Sequence, residues 1–498
     1  MPVMSGNRWQ LVSLSTLFII AITVGMFMAR PFGSAAISFD SQVAVVHFDR
    51  IVVGRHLEQF LSTTPKPLLT FVYGALHAVT GDWRSIAWAT ILAFGVAIAG
   101  VGLLVTRIAG PVAGSFSAVG ILASPTLLFD VGGALATPWA LLGWVGAGLA
   151  LTTERPRYGI AGLALLLASL ARLETMVLVA LATVVLLGGE LLHRPAPRRA
   201  WLVPIIGASA FLVMGVHDWL LSGDPLLWSK VASKYSQTTA NHVLTAPEVI
   251  SFLVGRYAQI GALSLLAILG CIRLAAARRF AIAIGLIGLG PGIAAFLVML
   301  AARGIFVSER YVAGIDIAVL AAAGVGVAGL STDIWERIGT RVTRADVRGV
   351  LAISAAATLA VAMTWPRGPL DSALRNEIRI GLDTAVDADR AVALLRPRLA
   401  TTIDPPNPAI IVPTPVRPRI AIDLGLPLTA VGGTNAKILD PSARPLDPGV
   451  MIVHDRRAEA VPAALRALEV GSISVVDGRT IEPLLADPER GLWIVAVR

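Results

Sequence analysis

Long apolar runs recur along the chain, separated by short polar connections. Eleven are candidate membrane spans: residues 11–28, 86–106, 111–128, 136–151, 159–171, 175–191, 201–219, 258–274, 280–301, 311–330 and 349–365. Most approach the roughly 20 apolar residues that a helix needs to cross a hydrocarbon core, and 159–171 is the shortest. The first run has Arg8 ahead of it and small residues near Ser34 to Ala36, as a cleaved leader would. Ten more runs follow, so it is read as a retained helix. Residues 65–80 are apolar but short and begin with two prolines, Pro65 and Pro67. They predict a helix lying on the outer surface. That leaves two long outer loops, about 29–85 and 220–257.

The pattern changes near residue 366. Prolines multiply and the long apolar runs stop. Short β-like runs appear at 409–412, 449–454, 472–476 and 492–497, with helical patterns between them. The fold class expected is therefore an α-helical polytopic membrane protein of about 11 spans, residues 1–365, followed by a small C-terminal α/β domain, residues 366–498.

Charge gives the orientation. From Pro366 onward, 16 Lys+Arg balance 16 Asp+Glu, so the net charge of +9 resides in the membrane part. With the N-terminus in the cytoplasm, the inner connections collect 14 arginines, among them Arg107, Arg155, Arg198, Arg279 and Arg344, against five acids. Cytoplasmic loops are enriched in Lys and Arg. Counting 65–80 as a span would invert every later loop. An odd number of spans places the C-terminal domain outside the cell membrane.

Composition narrows the function classes. Hydrophobic residues make up 55% and charged residues 15%, with mean hydropathy +0.75. Soluble chains carry about 25% charged residues, so a soluble enzyme is excluded, and so is a disordered chain. The basic pI suggests nucleic acid at first sight, but the excess is scattered over short inter-helix loops, so no nucleic-acid partner is expected. The lone cysteine, Cys271, permits no intrachain disulfide.

The candidate site residues gather on the outer side. Asp40 follows the first span, with a helix N-cap as the competing reading. Lys66 lies between two prolines at the start of the surface helix, where it could hold a phosphate or reach lipid headgroups. Asp130 lies between the third and fourth spans. Arg172 and Glu174 interrupt an apolar hairpin, as an ion pair or a functional contact. His217 closes the seventh span. Arg310 and Tyr311 open the tenth, where an arginine fork suits a phosphate. Two other matches are discounted. GVGVAG at 324–329 lies inside a span and fits helix packing better than nucleotide binding. GGTN at 432–435 lacks the Lys-Ser/Thr of a phosphate loop.

Taken in order, these features resemble the GT-C superfamily of membrane glycosyltransferases, which use polyprenyl-phosphate sugars. The resemblance rests on an outer-loop acid (Asp40), PKPLL at 65–69, SPTLLFD with Pro125 and Asp130, ARLE with Arg172 and Glu174, and the outer Arg310–Tyr311 pair. It implies inverting sugar transfer at the outer face to a glycan, lipid or protein acceptor. Asp40 would be the catalytic base. Arg310, with Lys66 or Arg172, would hold the donor phosphate. Asp130, Glu174, His217 and Tyr311 would line the acceptor or the rest of the site. Members with paired acids in the first loop bind a divalent metal. Asp40 has no adjacent partner acid, which argues against a metal cofactor here. The rival readings are a transporter or flippase of a lipid-linked substrate, which predicts mid-membrane charges and matching halves, and a non-catalytic membrane scaffold, which predicts that Asp40 is dispensable.

Overall fold

The structure is a computed structural model that describes residues 6–30, 32, 36–54, 66–193, 196–238, 244–277, 280–305, 307, 309–338, 355, 358–359, 372–402, 410–413, 416–426, 431–434, 449–454, 470, 474–476, 479–487 and 492–497. Its chain divides into two compact units, each discontinuous in sequence. The first comprises Met1–Ala29, Ser62–Leu69 and Trp88–Arg375, and the second comprises Arg30–Leu61, Thr70–Ala87 and Asn376–Arg498.

The first unit is helical. It holds α1 (Gly6–Ala29), most of α4 (Arg84–Ala109), α5 (Pro111–Leu122), α6 (Pro125–Gly132), α7 (Thr137–Leu151), α8 (Tyr158–Ala171) and α9 (Met176–Leu191). Next come α10 (Leu202–Ala208), α11 (Ala210–Ser222), α12 (Leu227–Thr238), α13 (Ala246–Gln259), α14 (Gly261–Ala276), α15 (Phe280–Ala302) and α16 (Ala313–Ile338). Among the described residues, five helices are long and apolar enough to cross a membrane, or up to seven if each of two bent pairs is one span. Four shorter apolar helices accompany them, at Leu14–Ala29, Pro67–Thr80, Thr137–Leu151 and Tyr158–Ala171. The last expected span, 349–365, falls almost entirely outside the described residues. Large apolar side chains such as Val184, Ile205, Leu212 and Leu265 stand exposed around the bundle. That surface suits hydrocarbon rather than water.

Two expected spans are not straight. Run 111–128 breaks after Ala123, and α6 turns 56° from α5. Pro125 is the cause. It has no N–H to continue the ladder, and it drives Ser124 into extended backbone at ψ 122°. Near 258–274, α14 turns 88° from the preceding helix, and much of the expected outer loop is helical. A capping box of Thr245 and Glu248 starts α13. Its Val249 and Leu253, four residues apart, are buried with Ile293 and Leu297 of α15 and Val312 and Ile315 near the start of α16.

Close helix packing uses small residues. A side chain at Gly270 would meet the Ala322 carbonyl, and one at Gly326 would meet the Leu266 carbonyl, so α14 and α16 touch through backbone. Gly324 lies against Ala113 and Ser117 of α5 in the same way. The GVGVAG run is therefore a packing surface.

The second unit contains α2 (Phe39–Phe48), most of α3 (Pro67–Thr80), a long helix α17 (Ser372–Thr402) and a short one, α18 (Arg417–Leu424). A six-stranded sheet accompanies them, in the order β2-β1-β3-β6-β5-β4. Its strands are β1 (Ile410–Pro413), β2 (Val431–Thr434), β3 (Gly449–His454), β4 (Ser474–Val476), β5 (Arg479–Asp487) and β6 (Leu492–Val497). β1 runs parallel to β2 and β3, and the remaining pairs are antiparallel. The register of β5 on β6 shifts between Pro483 and Leu485, where proline cannot donate to the ladder. The core joins Val46 of α2 to Ala391, Val392 and Leu395 of α17, Val412 of β1 and Ile420 of α18.

Candidate active site

In the first unit, helix ends bring a set of polar side chains together. Helix α8 stops at Ala171, because Arg172 takes extended backbone (φ −145°, ψ 123°) before the single turn Leu173–Thr175 leads into α9. Arg172 then lies along Glu174, with Nη2 donating to Oε1 at 2.7 Å and Nε donating to Oε2 at 3.4 Å. This is the two-pronged geometry in which a guanidinium holds a carboxylate best. Nη1 donates to Asp130 Oδ2 at 3.4 Å and also to the Thr137 hydroxyl. Thr137 in turn donates to Asp130. Asp130 and Thr137 are fully buried, and Glu174 is 7% exposed. Carboxylates at that depth need a cation and hydrogen bonds to remain ionised. The Arg172 guanidinium also lies 5.7 Å from the centre of the Tyr311 ring. Beside it, the Trp144 indole donates to Thr175, which donates to the Ala168 carbonyl and fixes the turn.

A second group lies one turn back along α6. Arg256 Nη2 donates to Asp316 Oδ2 at 2.7 Å and reaches Thr126 Oγ1 at 3.4 Å. The Tyr257 hydroxyl donates to Asp316 Oδ1 at 2.9 Å. Thr126 and Asp130 are four residues apart, so α6 presents both from one face. The α6 segment thus links the two polar groups, and Tyr311 in the turn before α16 and Asp316 in its first turn belong one to each.

The structure brings together Asp130, Arg172, Glu174 and Tyr311 from among the expected site residues. The Arg172 fork is already occupied by carboxylates, so a phosphate there would have to displace one of them. Lys66 precedes α3, and two residues on, Leu68 packs with Leu173 against Leu170, Ala210 and Met214. His217 follows Met214 by one turn of α11. It is buried, with Nδ1 3.2 Å from Asp218, whose other oxygen accepts from the Trp228 amide. Arg310 has its backbone in the turn Glu309–Val312, but its side chain lies outside the described residues. Asp40 belongs to the second unit, half-buried in the first turn of α2. The N-cap is Ser38, whose side chain accepts from the Ser41 amide, so capping is not the role of Asp40. Among the described residues, no group of three or more His, Cys, Asp or Glu is placed to hold a metal ion.

Thr126, Thr137 and Asp316 were missed in the sequence. For Asp316 the signal was present, since it is an acid inside an apolar span. The two threonines carry no such mark.

No known family's sequence profile matches the chain. No curated protein matches it significantly either. Solved structures do. ArnT from Cupriavidus metallidurans bound to undecaprenyl phosphate superposes over 99% of this chain and 98% of its own, with TM-score 0.57 and 14% identity. The chain therefore shares its overall fold with ArnT. The archaeal oligosaccharyltransferase AglB from Archaeoglobus fulgidus, in complex with an inhibitory peptide and a dolichol-phosphate, shares the fold more distantly. The match covers 86% of this chain and 65% of AglB, with TM-score 0.51 and 12% identity. At these identities the likeness concerns the path of the chain. The roles of individual side chains rest on the geometry above.

Proposed function

We propose that this protein is an inverting glycosyltransferase that moves a hexose or pentose from a polyprenyl-phosphate donor to a hydroxyl of a cell-envelope glycan, lipid or protein. The observation that carries this reading is the GT-C fold along essentially the whole chain, shared with ArnT, which has been seen with undecaprenyl phosphate bound. The same likeness favours transfer over carriage of a lipid-linked substrate. In this reading eleven helices span the membrane, the N-terminus is cytoplasmic, and residues 366–498 form an extracytoplasmic α/β domain.

The acceptor hydroxyl gives its proton to the Asp40 carboxylate as its oxygen bonds to the sugar's anomeric carbon. The bond from that carbon to the phosphate oxygen breaks on the opposite face, and polyprenyl phosphate leaves with the electron pair. Phosphate is a good leaving group, so no strong acid is needed. Arg310 and Lys66 neutralise its charge. Arg172 acts through the carboxylates it holds, fixing Asp130 and Glu174 beside Tyr311. His217 serves the acceptor side of the site.

The test uses the purified full-length protein in nanodiscs with a set of undecaprenyl-phosphate-linked sugars and a total cell-envelope extract as acceptor, together with mass spectrometry of envelope glycans from cells with and without it. Asp40→Asn is expected to lower turnover by about 10²–10⁴-fold while inserting normally. An inserted Asp40→Asn protein with undiminished transfer would overturn the reading.

A further inference from the structure

The second unit builds the helix that bears Asp40 into a core supplied by the far end of the sequence. Val46 of α2 is 1% exposed and packs with residues of α17, β1 and α18. Phe48 lies so close to Gly74 of α3 that any side chain at Gly74 would collide with it, and its ring stands edge-on to Phe71 at 6.4 Å. These contacts fix the last turn of α2. Its first turn is capped by Ser38 and reaches the far end of the sequence through one buried amide.

Gln42 is 2% exposed. Its Nε2 donates to the Ile37 carbonyl at 2.7 Å, in the segment that leads into α2. Its Oε1 accepts from the Arg419 backbone amide at 3.1 Å. That amide belongs to the first turn of α18, where N–H groups have no partner within the helix. The N-cap residue Val416 supplies no side-chain bond. One side chain therefore ties the start of α2 to the start of α18. α18 is itself held, through Asp423, which accepts from the Trp83 indole at 2.8 Å. The Arg396 guanidinium donates to the Asp423 carbonyl at 2.7 Å. Arg419 is 3% exposed and ion-paired to Asp389. Asp40 and Gln42 are two residues apart, about 200° around the helix. Gln42 is turned to this anchor, and Asp40 is turned away from it.

We infer that Gln42 is the positioning residue for Asp40, pinning the first turn of α2 to α18 so that the C-terminal chain sets the place of the catalytic base. This rests on the transferase reading above. Displacement of a reacting group by about 1 Å costs on the order of a hundredfold in rate, so a clamp of two hydrogen bonds at the base's own turn bears directly on turnover.

The experiment uses the full-length protein in nanodiscs and the variants Gln42→Met, Gln42→Glu and Asp40→Asn. Methionine keeps the volume and loses both bonds. Glutamate keeps the acceptor for Arg419. Turnover is read as undecaprenyl phosphate released from a mixture of undecaprenyl-phosphate-linked hexoses and pentoses, with a total cell-envelope extract supplied as acceptor. Amide exchange is followed over peptides covering 37–48 and 417–424. Gln42→Met is expected to lower kcat by about tenfold to a hundredfold with the donor KM within about twofold, and to speed exchange in both peptides together. Gln42→Glu is expected to recover most of kcat. Wild-type turnover by Gln42→Met, or unchanged exchange in 417–424, would overturn the positioning role while leaving the transferase reading in place. A fully active Asp40→Asn, or no release by the wild type, would overturn both. If Gln42→Met does not fold, a loss of kcat of about tenfold or more in a folded Gln42→Glu protein overturns the clamp at Arg419.

Discussion

Asp423 gives the second unit a pH response whose size and sign follow from its surroundings. Burial pushes its carboxyl up from 3.8 to about 6, against the opposing pull of the Trp83 indole and Arg419. Two units disfavour the ionised form in the folded protein by about 3 kcal/mol. Because the folded value lies above the unfolded one, this contribution to stability is complete below about pH 4. It is lost as pH rises through about 6. Asp423→Asn keeps an oxygen for the Trp83 indole and cannot ionise. The variant is therefore expected to match the wild type near pH 4 and to exceed it by up to about 3 kcal/mol by pH 7. His77 is lowered, first by burial and then by Arg419. It works in the opposite sense, and because its Nε2 lies 3.9 Å from Asp423 Oδ1 the comparison is made in a His77→Gln background, where this contribution is absent from both proteins. The assay is thermal unfolding of the full-length protein in detergent between pH 4 and 8. For a unit of this size the gap opens to about 6–12 °C at neutral pH. A difference that stays constant across the range would refute the reasoning.

Other expectations follow from the first unit. Arg172→Met leaves Asp130 and Glu174 buried without their cation and is expected to cost about 3–5 kcal/mol, read as a fall in the unfolding midpoint. Arg172→Lys should recover little, since an ammonium cannot make the paired bonds to Glu174. Gly326→Ala forces a methyl onto the Leu266 carbonyl and is expected to cost about 1–3 kcal/mol. Gly159→Ala, with nothing within 4 Å of the added methyl, is expected to stay within about 1 kcal/mol of wild type by the same measurement. In a Cys271→Ser background, an impermeant thiol reagent applied to intact cells should label Ser236→Cys and leave Thr340→Cys untouched. The reverse pattern would invert the topology.

What the sequence disclosed depended on range. Helices announced by a run of apolar residues were visible, and so were the strands at 449–454 and 492–497, whose bounds match the runs. The Arg172–Glu174 turn was visible too, because two charges inside an apolar hairpin have no cheap alternative. The break before Pro125 could have been read from the proline alone. The joining of Asp130 to Arg172, 42 residues away, could not, since it is made by helix ends meeting in space. Nor could the composition of the second unit. The change at residue 366 marks where long apolar runs end, whereas the unit itself recruits residues 30–61 and 70–87, whose membership depends on contacts such as that of Gln42 with Arg419.

That contact also sets a timetable. Gln42 leaves the ribosome 377 residues before Arg419. At about 5–20 residues per second the wait is roughly 20–75 s. For most of it, Val46 and its neighbours lack their core, because α17, β1 and α18 are made only at its end. The second unit can close only when synthesis is nearly complete, so a chain cut short before residue 419 would carry a finished bundle and an orphaned α2. Such chains are natural targets for quality-control proteases, and a chaperone that shields residues 39–48 during synthesis would find its client there.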